Sequence, residues 1–283
     1  MTIFLIILYY TIIYEYFNYY YKKRLRFLKK YKRIYNEFNI TTFEDKINWL
    51  CIHDVNQLKG KCADKILLHE YSINKLGKDI CNKIIKIYDN EKQLNFEELP
   101  EKFVLKANHG SGFNLIIQNK TELNVENVKN LARKWMRTDY GKKNAEFHYS
   151  FIKRKLFVEE FIGNNLKNYK FLCYNGKPKY IYVSIEENHN KYRNFYNMNW
   201  TFLDFHCLSE PHPTNNYKKP KLFEIMKEYA IKLSAVFRFV RVDFYELENE
   251  IRLGELTFTP MDSFFNCKKK EHEIELGKDI NIN

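Results

Sequence analysis

Residues 239–260 read FVRVDFYELENEIRLGELTFTP, and the fold follows from this stretch. Apolar and polar residues alternate along both arms, the period of a half-buried strand. A three-residue loop at Glu248-Asn249-Glu250 predicts an antiparallel hairpin with Asp243 opposite Glu255 and Arg241 opposite Thr257. One face then carries Arg241, Asp243, Tyr245, Glu255 and Thr257. The other carries Val240, Val242, Phe244, Leu256 and Phe258, a core face. Two opposed carboxylates repel, so the pair stands either on a solvated surface with incidental charges or around a cation. Mg²⁺ takes oxygen ligands, keeps several waters and uses one or two carboxylates beside substrate phosphates. Asp243 and Glu255 supply that chemistry, and Thr257 adds a hydroxyl. Arg241 can hold a phosphate or carboxylate bidentately.

Upstream, KFVLKANHGSGFNLII at 102–117 reads as strand, turn, strand. Gly110 and Gly112 let backbone approach a ligand closely, and successive amides there can form an anion nest. Lys106 precedes the turn and can reach the same anion. The loop is no Walker A motif, since no Gly-Lys-Ser/Thr follows. It is no dinucleotide fingerprint, since Leu115 stands at the third glycine. An ordinary hairpin is the other reading, with His109 as a structural hydrogen-bonder. Glu159 and Glu160 end the strand 156–162 before Gly163, which makes either a ligand-reading edge or a plain strand end.

The remaining pattern is α+β, antiparallel hairpins alternating with helices. Residues 41–99 read as mainly helical and polar, with Trp49, Leu50, Ile66, Leu67 and Leu68 as core points. Asn124 caps a helix over 124–138. Residues 169–174 and 179–185 flank Asn175-Gly176 as a hairpin with a loop longer than two residues. Residues 190–217 read as polar and turn-rich. An amphipathic helix spans 221–237, with Leu222, Ile225, Met226, Tyr229, Leu233 and Val236 on one side.

The chain has 283 residues, 45% hydrophobic, enough for a buried core and too apolar for a disordered polymer. Its net charge is +12, yet residues 22–33 hold eight cations and residues 1–33 only one acid, Glu15. The body is therefore mildly basic, which argues against a nucleic-acid-binding face. The basic run follows an apolar one, IFLIILYYTIIY at 3–14, which is shorter than a bilayer span and lacks a cleavage site. Together they predict contact with anionic lipid through residues 1–33, with the body on the cytoplasmic side. A helix docked on the body is the alternative. The six cysteines form no Cys-x-x-Cys pair, so the expectation is reduced thiols.

The order of these parts resembles the ATP-grasp superfamily, and within it the group typified by the teichuronopeptide biosynthesis protein TupA. The likeness runs from about Thr42 to about Phe265. It rests on TFEDKINWL, ADKILLHEYS, FVLKANHGSGFN, FVEEFI, NYKFLCYNGKPK, YRNFYNMNW and the hairpin already quoted. The resemblance implies an ATP-grasp fold and ATP with Mg²⁺ as cofactors. Lys106 and Lys170 would touch the nucleotide phosphates, and His109, Gly110, Ser111 and Gly112 would form the covering loop. Glu159, with Glu160 and the backbone of Ile162, would meet the adenine edge. Asp243, Glu255 and more weakly Thr257 would hold Mg²⁺, and Arg241 would orient phosphate or substrate. The implied division is a segment 1–40, a helical region 41–100, a small lobe 101–165, a large lobe 166–275 and a tail 276–283.

The implied chemistry joins a carboxylate to an amine through an acyl phosphate, on precursors of a cell-surface polysaccharide. A glycosyltransferase or a kinase of the same pathway is the alternative, although no Asp-x-Asp signature is present. A non-catalytic membrane adaptor is a further one. The chain departs from the group's pattern at Asn168 (usually Asp), at His69 (usually Arg), and at Met261 and Asp262 (usually small residues).

Overall fold

The computed structural model describes residues 2–32, 34–164, 166–187, 189–208, 211, 217–263 and 265–282, without the side chains of 2–12, 15, 16, 30, 31, 186, 187, 191, 262 and 263. The chain opens with a 30-residue helix, α1 (Thr2–Tyr31). Three shorter helices follow: α2 (Phe43–His53), α3 (Gln57–Ala63) and α4 (Leu67–Leu76). Thr42 and Asp45 close a reciprocal capping box on α2. Of the expected core points Leu50 and Leu68 are buried, Trp49 and Ile66 only partly so, and Leu67 is exposed.

A four-stranded antiparallel sheet comes next. It consists of β1 (Ile84–Tyr88), β2 (Phe103–Ala107), β3 (Asn114–Ile117) and, after two helices, β4 (Leu156–Glu160), in the order β1-β4-β2-β3. β1 corrects the helical reading of 41–99: its β-branched Ile-Ile-Lys-Ile alternates in burial as an edge strand does. The intervening helices are α5 (Val125–Arg137), capped by Asn124, and α6 (Tyr140–Asn144). Val128, Ala132 and Trp135 of α5 pack on Phe103, Leu105, Leu156 and Val158.

The second sheet has six antiparallel strands: β5 (Asn168–Tyr174), β6 (Lys177–Glu187), β7 (Asn190–Asn197), β8 (Phe202–Leu203), β9 (Phe239–Glu246) and β10 (Ile251–Thr257). Their order is β10-β9-β5-β6-β7-β8. The β5–β6 turn is a two-residue one, shorter than expected, with Asn175 (φ 49°) and Gly176 (φ 77°) both left-handed. β7 corrects the turn-rich reading of 190–217. Its polar NKYRNFYN pairs along its whole length with β6, so sheet position overrides composition.

One face of this sheet lies under α7 (Phe223–Ser234): Phe171, Ile181, Val183, Val240, Val242 and Phe244 meet Phe223, Met226, Ala230 and Leu233. Ile225 and Val236, expected on that helix's core side, are exposed. The opposite face is covered at one end by α2 and by α8 (Lys270–Gly277), through Phe43, Ile47, Phe265 and Leu276. Leu276 and Ile280 are buried, so residues 276–282 pack on the body.

Cys207 and Cys267 form a disulfide across an isolated antiparallel bridge, a correction to the all-thiol expectation. Sixty residues separate them, so spacing gives no signal. Cys51, Cys62, Cys81 and Cys173 are buried thiols outside this bridge.

The C-terminal half of α1 docks on the body. Phe27 packs with Tyr35 and Ile52. The Tyr19 hydroxyl lies 2.9 Å from the Cys51 carbonyl and 2.7 Å from the Ala145 carbonyl. Lys23 is buried, and Arg26 donates to the Lys143 carbonyl. Part of the basic run is thus turned inward on the body. Among the described residues no helix is long and apolar enough to cross a membrane.

Candidate active site

The β9–β10 hairpin carries the densest charge. Its turn takes four residues, Leu247–Glu250, one more than expected, with Glu246 opposite Ile251. A bulge at Gly254 on β10 returns the extra residue, so Asp243 still faces Glu255 and Arg241 faces Thr257. A Cβ on Gly254 would stand 2.8 Å from the Tyr245 ring, and only glycine leaves that ring its place.

Arg241 and Asp243 share a face two residues apart, and the guanidinium takes both carboxylate oxygens (Nε–Oδ1 2.6 Å, Nη2–Oδ2 2.7 Å). The same Nη2 donates to Glu255 Oε1 at 2.6 Å and to Thr257 Oγ1 at 3.0 Å, and Nη1 reaches the Tyr182 hydroxyl. Lys170, opposite Asp243 on β5, forms an ion pair with it. Arg241 thus binds its own strand pair and Tyr182 on β6. Burial alone would raise the Glu255 carboxyl, but Arg241, Lys170 and Lys65 hold it down to about 2. Burial lowers the Lys170 ammonium, and Arg241 adds to that, while Asp243 and Glu255 oppose it.

Three oxygens, from Asp243, Glu255 and Thr257, therefore converge on one point that holds a cationic nitrogen. Hard oxygen donors converging in this way fit Mg²⁺ by ligand type.

The small sheet supplies the other wall. Lys106 on β2 pairs with Glu159 on β4, whose carboxylate also accepts from Asn82 Nδ2 at 3.3 Å. The turn after β2 is pinned at its base by Asn108, which donates to Asp64 and the Lys153 carbonyl and accepts from Lys155 N–H. Gly112 is left-handed at φ 75°. At Gly110 a Cβ would meet Tyr140 at 2.6 Å, so a side chain there would force the turn open. His109 does not face the cleft. It is buried, bonded to the Trp135 carbonyl at 3.1 Å and packed on Phe113, and burial lowers its pKa to about 4.

Between the sheets lies a cleft of about 920 Å³, at the upper end of ordinary ligand sites. Its lining brings together Lys106, Ser111, Gly112, Glu159, Glu160, Ile162, Lys170, Asp243 and Glu255. Arg241 and Thr257 line instead an adjoining cavity of about 210 Å³, shared by Ser111, Lys170, Arg193 and Glu255 and closed by Glu146 and Thr259. His109 and Gly110 line neither cavity.

The sequence reading missed Lys65 and Arg193. Lys65 lies in ADKILLHEYS, comes from the helical region ahead of both sheets, and donates to the Gly110 carbonyl at 2.6 Å. Burial lowers its ammonium, and nearby Glu255 opposes the shift. Arg193 sits on β7 and donates to the Leu208 carbonyl. Its signal was the YRNFYNMNW match, read there as family likeness without a role. Asn168, at one departure from the pattern, lines the cleft with a buried side-chain oxygen that accepts no hydrogen bond among the described residues. Of the other departures, Met261 lines the small cavity, and the side chain of Asp262 lies outside the described residues.

Compared with known proteins, residues 45–281 match the model of a family described as TupA-like ATPgrasp. A search of curated proteins finds no match. Among solved structures, D-alanine–D-alanine ligase from Bacillus anthracis complexed with ATP is 16% identical with a TM-score of 0.47, over 72% of this chain and 57% of that one. The Helicobacter pylori D-alanine–D-alanine ligase is 18% identical with a TM-score of 0.42, over 78% and 59%. An L-amino acid ligase from Bacillus licheniformis is 13% identical with a TM-score of 0.44, over 71% and 44%. The chain thus spans less than two thirds of the length of these structures.

Proposed function

Because the chain belongs to the TupA-like ATP-grasp family, we propose that it is an ATP- and Mg²⁺-dependent ligase that joins a carboxylate to an amine through an acyl phosphate. The observation that carries this reading is the shared cleft. Asp243 and Glu255 face each other across β9–β10 and line one cavity with Lys106, Lys170 and the Ser111–Gly112 turn.

Asp243 and Glu255, with Thr257 beside them, would hold the metal. When bound, it would neutralise charge on the transferred phosphoryl group. Lys106, Lys170 and Lys65 bring positive charge to the same space, where low dielectric makes each ion count for more than in water. Ser111 and Gly112 line the same cleft and would offer backbone N–H groups to a phosphate. The adenine edge is assigned to Glu159, Glu160 and the backbone at Ile162. The small cavity, bounded by Arg193, Arg241 and Glu146, would take the acceptor side of the reaction.

Residues 101–165 and 166–275 serve in this reading as the small and large lobes, after a segment 1–40 and a helical region 41–100, with 276–283 as a tail. The substrates are taken to be precursors of a cell-surface polysaccharide of teichuronopeptide type, handled at the inner face of the membrane. Exposed Tyr14, Phe17 and Tyr21 on α1, flanked by exposed Lys22 and Lys29, support a surface contact there.

The test is ADP release by purified protein with candidate sugar acids and amino acids. Release should require Mg²⁺, should require both a carboxylate and an amine for full rate, and should fall to background in Asp243→Asn. Equal rates in the two proteins would remove the metal assignment. A nucleoside diphosphate freed from a nucleotide-sugar would favour glycosyl transfer instead.

A further inference from the structure

Outside the cleft, three metal-ligating side chains of different chemistry meet where α4 hands the chain to β1. His69 lies on α4, and Asp79 and Cys81 lie on the strap that follows it. His69 Nδ1 is 2.7 Å from Asp79 Oδ2, and one ligand atom from each of the three residues falls within 4.8 Å of the others. Cys81 is buried, His69 partly so, and Asp79 opens to solvent.

We propose that His69, Asp79 and Cys81 form a binding site for one zinc ion. The donor set selects the metal. A thiolate, an imidazole and a carboxylate suit zinc, whereas Mg²⁺ and Ca²⁺ take oxygen alone. Zinc holds such ligands at roughly 2.0–2.3 Å in a tetrahedron, which puts neighbouring donors about 3.3–3.8 Å apart. The present spacing, from 2.7 Å to at most 4.8 Å, reaches that by side-chain adjustments of about an ångström. Charge closes as well: with the thiol proton released to solvent, thiolate and carboxylate together carry two negative charges against a divalent ion. The solvent-facing side at Asp79 leaves room for a water as fourth ligand.

Backbone already fixes the strap. The Asp79 carboxylate accepts from Cys81 N–H at 3.0 Å, Leu253 N–H of β10 donates to the Ile80 carbonyl at 2.8 Å, and Asn82 reaches Glu159. A bound ion would therefore tie α4 to a segment that touches both sheets.

The experiment is a Co²⁺ titration of the full chain carrying no histidine tag, followed by Zn²⁺ competition. It is read by the near-ultraviolet thiolate-to-cobalt charge-transfer band and by proton release. One cobalt per chain, a band that zinc abolishes, and a raised thermal midpoint with zinc are expected. Cys81→Ser should lose the band. His69→Arg should lose it too while keeping a cation opposite Asp79 and the metal-free midpoint, so lost binding there cannot be ascribed to misfolding. Asp243→Asn should keep the band, which separates this site from the cleft. A wild-type chain without the band, or a band that survives Cys81→Ser or His69→Arg, overturns the assignment.

Discussion

One face of the large sheet contains two regions built on opposite principles. At one end Phe239, Leu172, Tyr174, Tyr180 and Phe195 lie under α2, α8 and Phe265, a largely apolar contact. A few residues along the same strands the face carries Lys170, Asp243 and Glu255, with Arg241 and Tyr182 at the border. Across the sheet, Val240, Val242 and Phe244 stay apolar throughout. The apolar end stabilises by removing surface from water, about 25 cal/mol per Å². The charged end costs several kcal/mol per ion in desolvation and holds together only through mutual pairing. Stability alone gives no use for the second arrangement, which is the physical ground for proposing that end as the site.

The sharpest way to break the comparison is Arg241→Ala. It strands a buried Asp243 with Lys170 as its remaining ion-pair partner, and should lower unfolding free energy by about 3–5 kcal/mol in urea titration. It should also end ADP release. If stability were unchanged, the charged end would be solvated surface after all. At the apolar end Phe265→Leu should cost about 2 kcal/mol by lost burial and a small void, with the KM for ATP unchanged. A raised KM would mean the two ends are not separable. Asn124→Ala touches neither end and removes the cap of α5. About 1 kcal/mol, read from the denaturation midpoint, sets the scale for a purely local change.

The last comparison is read as a pH dependence, and near neutral pH its full effect is present with no slope. The Glu255 carboxyl is depressed from 4.5 to about 2 in the folded chain. Its contribution is therefore complete above the unfolded value and is lost as pH falls through the folded one. Glu255→Gln should flatten the acid limb of stability between those two values. A limb unchanged by the substitution would show that Arg241 does not hold that charge.

Much of this was legible because strands alternate with a period of two. The hairpin at 239–260 announced both faces, and its opposed acids survive a wrong turn length because the bulge at Gly254 restores register. The Gly-rich turn was legible from its glycines, whereas the inward aim of His109 was not, since a buried and an open imidazole look alike in sequence. β7 stayed hidden because sheet neighbours, rather than its own polar residues, make it a strand. Lys65 and Arg193 were out of reach for a related reason. They arrive at the cleft from remote segments, and only tertiary packing brings them there. The bridge between Cys207 and Cys267 follows from the same long-range closure.

The Tyr19 hydroxyl touches both the Cys51 carbonyl and the Ala145 carbonyl, and it accepts from the Phe147 amide. Besides its other contacts, the long first helix is thus anchored on both sides of Glu146, which lines the small cavity. Removing that hydroxyl should therefore be felt at the wall of the small cavity as well as in the seating of the helix.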